Sequence, residues 1–199
     1  MILLFLVACS KDADDSNPPA DDSSTPTDDS GKTTDLTLYS PDFEPAAGDP
    51  LAHRCEFLLP KAFSCGNGNP EMRWESAPTD TVTFALVMDD PDANDFAHWA
   101  IYNIPATESG LDAGISGEKV GKHTLPEGAI ELENQHGSIG YFGSCPPVPH
   151  VYQWKLWALR DSIDDKPEGS TAKEQFAWLE AEANDLAYDS VGTCHIYNP

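Results

Sequence analysis

Three segments carry the clearest hydrophobic patterning: TVTFALVM (81 to 88), AHWAIYNI (97 to 104) and HVYQWKLWAL (150 to 159). Each is rich in β-branched and aromatic residues and is bounded by Pro, Gly, Asn or Asp, the mark of strands separated by turns. In the first, Val82, Phe84, Leu86 and Met88 alternate with Thr81, Thr83 and Ala85, so one side of that strand is expected to be core. From Leu36 onward the chain is a succession of such short runs, with no repeat of fixed period. The pattern predicts an antiparallel β-sandwich of two sheets.

One stretch departs from it. In TAKEQFAWLEAEANDLA (171 to 187), Phe176, Leu179, Ala183 and Leu186 recur at helical spacing, and Thr171 followed by Glu174 has the form of a capping box. The expected fold is therefore mainly β with a C-terminal helix, which serves as scaffold.

Ahead of the patterned region stand two segments of another kind. Residues 1 to 9, MILLFLVAC, hold an apolar run far shorter than the roughly 20 residues a membrane-spanning helix needs. Leu6-Val7-Ala8-Cys9 resembles the lipobox of bacterial lipoproteins, with Cys9 as the acylated residue. The basic stretch that opens a signal peptide is missing, as it would be if the true start codon lay elsewhere. Residues 10 to 35 are mostly Asp, Ser, Thr and Pro without an aromatic, a composition that cannot offset chain entropy and that predicts a disordered, self-repelling linker. The folded domain is then expected over residues 36 to 199. No Asp directly follows Cys9, which suggests sorting to the outer membrane or cell surface.

Charge narrows the partners. With 34 acids against 11 Lys and Arg, the formal charge of −23 repels nucleic acid and anionic lipid surfaces. Membrane association is expected through the lipid anchor only. Apart from Cys9, four cysteines remain, Cys55, Cys65, Cys145 and Cys194, an even number suited to two disulfides in an oxidising compartment. Three pairings are open. The short loop containing Pro60 inclines towards Cys55 with Cys65, which leaves Cys145 with Cys194. No C-x-x-C suggests a zinc site.

The candidate chemistry gathers at strand ends. After Met88 comes Asp89-Asp90-Pro91-Asp92, a proline-stiffened corner; His98 opens the next strand, with Ala100, Tyr102 and Ile104 expected on its face. Gly143-Ser144-Cys145-Pro146-Pro147 is a second rigid turn and leads to His150 and Tyr152, which share a face. Read alone, Asp90 and Asp92 are ordinary turn residues beside a proline, the histidines are structural, and Trp74, Trp99, Trp154 and Trp157 are core aromatics. Asp90-x-Asp92-x-Asn94 imitates a calcium loop but fails it, with Asp95 at the turn glycine and Ile101 at the final acid. No Gly-x-Ser-x-Gly surrounds Ser144.

In order along the chain, Asp90-Pro91-Asp92-Ala93, His98-Trp99, Gly143-x-Cys145-Pro146-Pro147 and His150-x-Tyr152 resemble the phosphatidylethanolamine-binding protein family, also called Raf kinase inhibitor-like, in its bacterial branch. Asn69-Pro70 with Trp74, Tyr102-Asn103-Ile104-Pro105 and Gly140-Tyr141 add to the resemblance, which covers about residues 38 to 160. It implies a β-sandwich with a small anion-accepting pocket, lined here by Asp90, Asp92, His98, Gly143, Cys145, His150 and Tyr152. The implied ligand is phosphate-bearing or another small anion, with no cofactor, no metal and no catalytic turnover. A protease- or kinase-inhibiting interaction protein is the alternative, and a metal-assisted hydrolase the next. Three positions depart from the family: Val151 where relatives carry arginine, and Asn94 and Ser144 where they carry proline. They put ligand preference in question.

Overall fold

The computed structural model describes residues 35–117, 124–164 and 168–199. The lipobox segment with Cys9 and the acidic linker, apart from Asp35, lie outside the described residues.

The strands are β1 (Thr37–Tyr39), β2 (Glu44–Pro45), β3 (Phe57–Leu58), β4 (Met72–Glu75), β5 (Thr83–Asp90), β6 (Phe96–Pro105), β7 (Gly110–Leu111), β8 (Ile130–Glu131), β9 (His150–Leu159) and β10 (Ala187–Tyr197), with α1 (Ala172–Leu186) before the last. They form a three-stranded sheet, β1-β4-β7, and a seven-stranded sheet, β2-β3-β10-β9-β5-β6-β8. All pairings are antiparallel except β3 with β10. The expected two-sheet, mainly β fold with one C-terminal helix is the fold observed, and the three patterned segments are β5, β6 and β9.

The expectation that β5 has a single core face is corrected. All its residues are buried. Phe84, Leu86 and Met88 enter the space between the sheets with Trp74, Trp99 and Trp154. Ala85 and Val87 face Phe176, Leu179 and Ala183 of α1. The helix covers what would otherwise be a solvent face, and the small residues of β5 and β6 on that side let it approach. Val82, expected on the core face, lies before the strand and is exposed. The capping box forms as read: Glu174 N–H donates to Thr171 Oγ1 at 3.3 Å and Thr171 N–H to Glu174 Oε2 at 2.8 Å.

The disulfide inclination is also corrected. Cys55 pairs with Cys194 and Cys65 with Cys145. The parallel contact of β3 with β10, Leu58 opposite Ile196, draws the segment before β3 towards Cys194. Gly143 passes so close to the 63–65 backbone that an added Cβ would stand 3.0 Å from Cys65 N, Phe63 O and Ser64 C. That approach seats Cys145 beside Cys65, and a side chain at 143 would require the 63–65 backbone to give way.

Candidate functional site

The site begins where β5 ends. Asp90 is extended (φ −118°, ψ 95°), and its Oδ1 accepts N–H groups of Asp92 at 3.0 Å and Ala93 at 3.2 Å, capping the single 3-10 turn Pro91–Ala93. Asn94 and Asp95 then take left-handed backbone (φ 58° and 53°), which turns the chain into β6. Proline, with φ fixed near −65°, cannot adopt that conformation, so Asn94 belongs to a different corner geometry from the one the resemblance implies. Lys173 of α1 ties the corner down, donating to Asn94 O at 2.8 Å.

Strand alternation separates the acids. Asp89 faces the helix side, where its Oδ2 pairs with Lys155 at 2.9 Å. Asp90, almost fully buried, faces the other way, and its Oδ2 receives His150 Nδ1–H at 2.7 Å. Asp92 Oδ1 and Oδ2 hold the guanidinium of Arg54 in a two-pronged pair at 2.7 and 2.9 Å, and Oδ2 also accepts Val151 N–H at 3.0 Å. The Arg54 guanidinium, aided by that N–H, holds the Asp92 carboxyl below the usual range.

His98 reaches the site through a β-bulge. Met88 pairs with Trp99 but Asp89 with Ala97, so His98 is an extra residue on β6. The bulge breaks the expected alignment of His98 with Ala100 and Tyr102, which lie against the helix layer instead. His98 Nδ1–H donates to Phe142 O at 2.7 Å; a carbonyl only accepts, so in the neutral ring Nε2 keeps its lone pair. Burial pushes the pKa of His98 down. In His150, Nδ1 is likewise committed, to Asp90, so in the neutral ring Nε2 keeps its lone pair.

Tyr152 stands between them. Its ring meets His98 edge-on at 5.1 Å and stacks on His195 at 4.8 Å and 11°. Burial, with the Asp90 carboxylate next, pushes the phenol pKa well up, so the hydroxyl stays protonated beside Asp90 and Ser144. Ser144 Oγ meets His195 Nε2 at 3.0 Å, and Trp154 Nε1–H donates to His195 Nδ1 at 2.8 Å. Trp154 can only donate, so Nδ1 accepts and Nε2–H donates to Ser144. Ser144 and His195 are fully buried, and burial pushes the pKa of His195 far down.

The structure thus brings Asp90, His98, His150 and Tyr152 together, with Asp92 at the edge. Gly143 lies behind the cluster against the 63–65 backbone, and the Cys145 sulfur is spent in its disulfide. Sequence reasoning missed Arg54, His195 and the part played by Ser144. His195 was findable: alternation through residues 187 to 197 puts it opposite Tyr152 on β10. Arg54 comes from a segment with no signal of its own. Two clefts, of about 350 and 480 Å³, lie elsewhere, the first over Lys155, Trp157 and Glu180 and the second over Glu133 to Gly137 and the start of α1. Among the described residues, no group of three or more His, Cys, Asp or Glu is arranged to hold a metal ion.

The phosphatidylethanolamine-binding protein family model matches residues 44–190, most of the chain, including Asp90, Asp92, His98, His150 and Tyr152 but not His195. The chain belongs to that family. Membership accounts for the sandwich and for the ordered motifs around Asp90, His98 and His150. The chain is 41% identical over 119 residues to YbcL of Escherichia coli, covering 54% of this chain and 64% of that protein. It is 34% identical over 144 residues to a protein of Mycobacterium tuberculosis named as a lipoprotein, LppC, covering 68% of this chain and 61% of that one. The crystal structure of Escherichia coli YbcL, described as a member of the mammalian family, superposes with a TM-score of 0.67 at 26% identity, over 82% of this chain and 98% of that one.

Proposed function

We propose that the domain is an exported binding protein whose Asp90, His98, His150 and Tyr152 cluster takes a small anion, phosphate or a phosphate headgroup, without catalytic turnover. The observation that carries the reading is the pair of imidazoles on either side of Tyr152. Each is tied to the protein through Nδ1, to the Phe142 carbonyl and to Asp90, which leaves Nε2 as its ligand-facing nitrogen. Neutral, those nitrogens accept; protonated, they donate to phosphate oxygens. Ser144 is committed to His195 and the Tyr152 hydroxyl lies beside the Asp90 carboxylate, so a proton, carried by the ligand or taken up by an imidazole, favours binding. Burial holds the His98 imidazole neutral to lower pH than usual, so affinity is expected to rise as pH falls, with the part that depends on His98 coming below the ordinary imidazole range.

Export and anchoring rest on three supports: the lipobox-like Leu6-Val7-Ala8-Cys9, the two disulfides, and the lipoprotein naming of LppC. Acyl-chain mass spectrometry at Cys9 tests the anchor. An outer-membrane or cell-surface location follows from the same reading.

Calorimetric titration with inorganic phosphate and with phosphoethanolamine tests the site and separates free anion from headgroup. Wild type is expected to bind, and His150→Ala and Asp90→Ala to lose most of the heat. No binding by wild type at millimolar ligand overturns the reading.

A second reading, an interaction protein that docks through the rim, draws on Val148, 55% exposed, with exposed Pro147 and Pro149 beside His150. Retention of the chain by a protease or kinase that Val148→Asp abolishes, with phosphate binding intact, would favour it.

A further inference from the structure

An anion site in a chain of charge −23, with two carboxylates in its wall, needs a cation close at hand. Among the ion pairs of the described residues, Arg54 is the only guanidinium or ammonium that reaches Asp90 or Asp92; Lys155 is held on the other face by Asp89 and Glu180. Both Asp92 oxygens are taken by Arg54, and one of them by Val151 N–H as well.

The origin of that cation is unusual for this chain's own motif. Position 151, between His150 and Tyr152, points the opposite way along the strand: Val151 packs with Ala46, Cys55 and Ile196 and is 5% exposed. A guanidinium on that side chain would be buried among apolar groups. The charge arrives instead from residue 54, immediately before the cysteine that packs on Val151. Arg54 and Cys55 close a turn through hydrogen bonds to Leu51 O at 2.8 and 3.2 Å, and Cys55 is bonded to Cys194 on β10, next to His195. The arginine is therefore carried to Asp92 by a covalent strap from the sheet that also holds His150.

We infer that Arg54 is a specificity-determining residue of the site: it cancels the charge of Asp92, from a position fixed by the Cys55–Cys194 disulfide, and so lets the imidazoles accept an anion. The inference rests on the anion reading above. Without Arg54, Asp92 presents an uncompensated carboxylate close to His150. A charge about 8 Å from a bound anion, at an effective dielectric of about 30, weakens binding roughly tenfold.

Titration of the full chain with inorganic phosphate, for wild type, Arg54→Met, Asp92→Asn and the double variant, tests this. Arg54→Met is expected to bind about tenfold more weakly. Asp92→Asn keeps an acceptor for Val151 N–H and is expected to bind at least as tightly as wild type. The double variant is expected to return to within about threefold of wild type, because both charges are gone. Opening the disulfide with Cys55→Ala and Cys194→Ala is expected to weaken phosphate, with little further loss on adding Arg54→Met. Near-ultraviolet circular dichroism of each variant confirms the native fold. If the double variant stays as weak as Arg54→Met, or Arg54→Met binds like wild type, the inference fails while the anion reading stands. Phosphate binding unchanged by loss of the disulfide overturns the strap. Absence of phosphate binding in wild type overturns both readings.

Discussion

The buried imidazole of His195 has a measurable consequence for stability. Its ring is fully buried, Trp154 donates to Nδ1, and Nε2–H is given to Ser144. A second proton would place an N–H against the Trp154 donor and a charge beside Tyr152, His98 and the apolar core, and the pKa of His195 is accordingly pushed far below its ordinary value. In the unfolded chain a histidine binds its proton near pH 6.5. Below that pH the unfolded state takes up a proton that the folded state refuses, so stability falls as pH falls. At about pH 5 the loss is about 2 kcal/mol for one such histidine, since each pH unit is worth about 1.4 kcal/mol. His98, also depressed by burial, adds a smaller loss of the same sign. Asp89, raised by burial, works in the opposite direction, and its contribution cancels when two variants are compared. The assay is urea unfolding, with both disulfides intact, of wild type and His195→Gln from about pH 7.5 to about pH 5, above the range where Asp92 titrates. The glutamine is expected to cost stability at the higher pH but to remove about 2 kcal/mol of the acid-induced loss. Parallel curves for the two proteins would refute the assignment of His195 as a neutral, doubly committed imidazole.

Other perturbations have expected outcomes of their own. Leu179→Ala, under the fully buried contact of α1 with β5 and β6, is expected to lower unfolding free energy by about 2–5 kcal/mol in urea melts. Thr171→Ala, which removes half of the capping box, is expected to cost about 1 kcal/mol, read as a lower urea midpoint with unchanged slope. Cys55→Ala with Cys194→Ala opens a link between residues 139 positions apart and is expected to cost about 4–5 kcal/mol in the same melts. A loss well below that would mean that the unfolded chain is constrained by other means.

Much of the fold was legible because its strongest elements are local. The β-branched and aromatic runs of β5, β6 and β9 state their own conformation, and Thr171 with Glu174 announces the helix start. What escaped was decided by distant contacts. The second buried face of β5 follows from α1, nearly a hundred residues later. β10 continues from the helix without a glycine and is built partly of Asp189, Ser190, Gly192 and Thr193, which mute the strand pattern. The disulfide pairs follow from the meeting of β3 with β10 and of Gly143 with the 63–65 backbone, neither visible in spacing. In the site, Asp90, His150 and Tyr152 were legible from a proline corner and simple alternation. His98 joins the cluster by a route other than the one expected, since the bulge between Ala97 and Trp99 aims it, not the period of the strand. Arg54 was illegible because it pairs with an acid 38 residues away.

In the proposed function, the Nε2 atoms of His98 and His150 face one anion. Nitrogen-15 spectra of the histidine side chains, recorded while phosphate is added to the full chain near pH 6, test it most directly. The Nε2 signals of His98 and His150 are expected to move together, towards the protonated form, with a common saturation, while those of buried His195 and exposed His53 stay in place. Phosphate that saturates without moving either site histidine, or that moves only one, would contradict it.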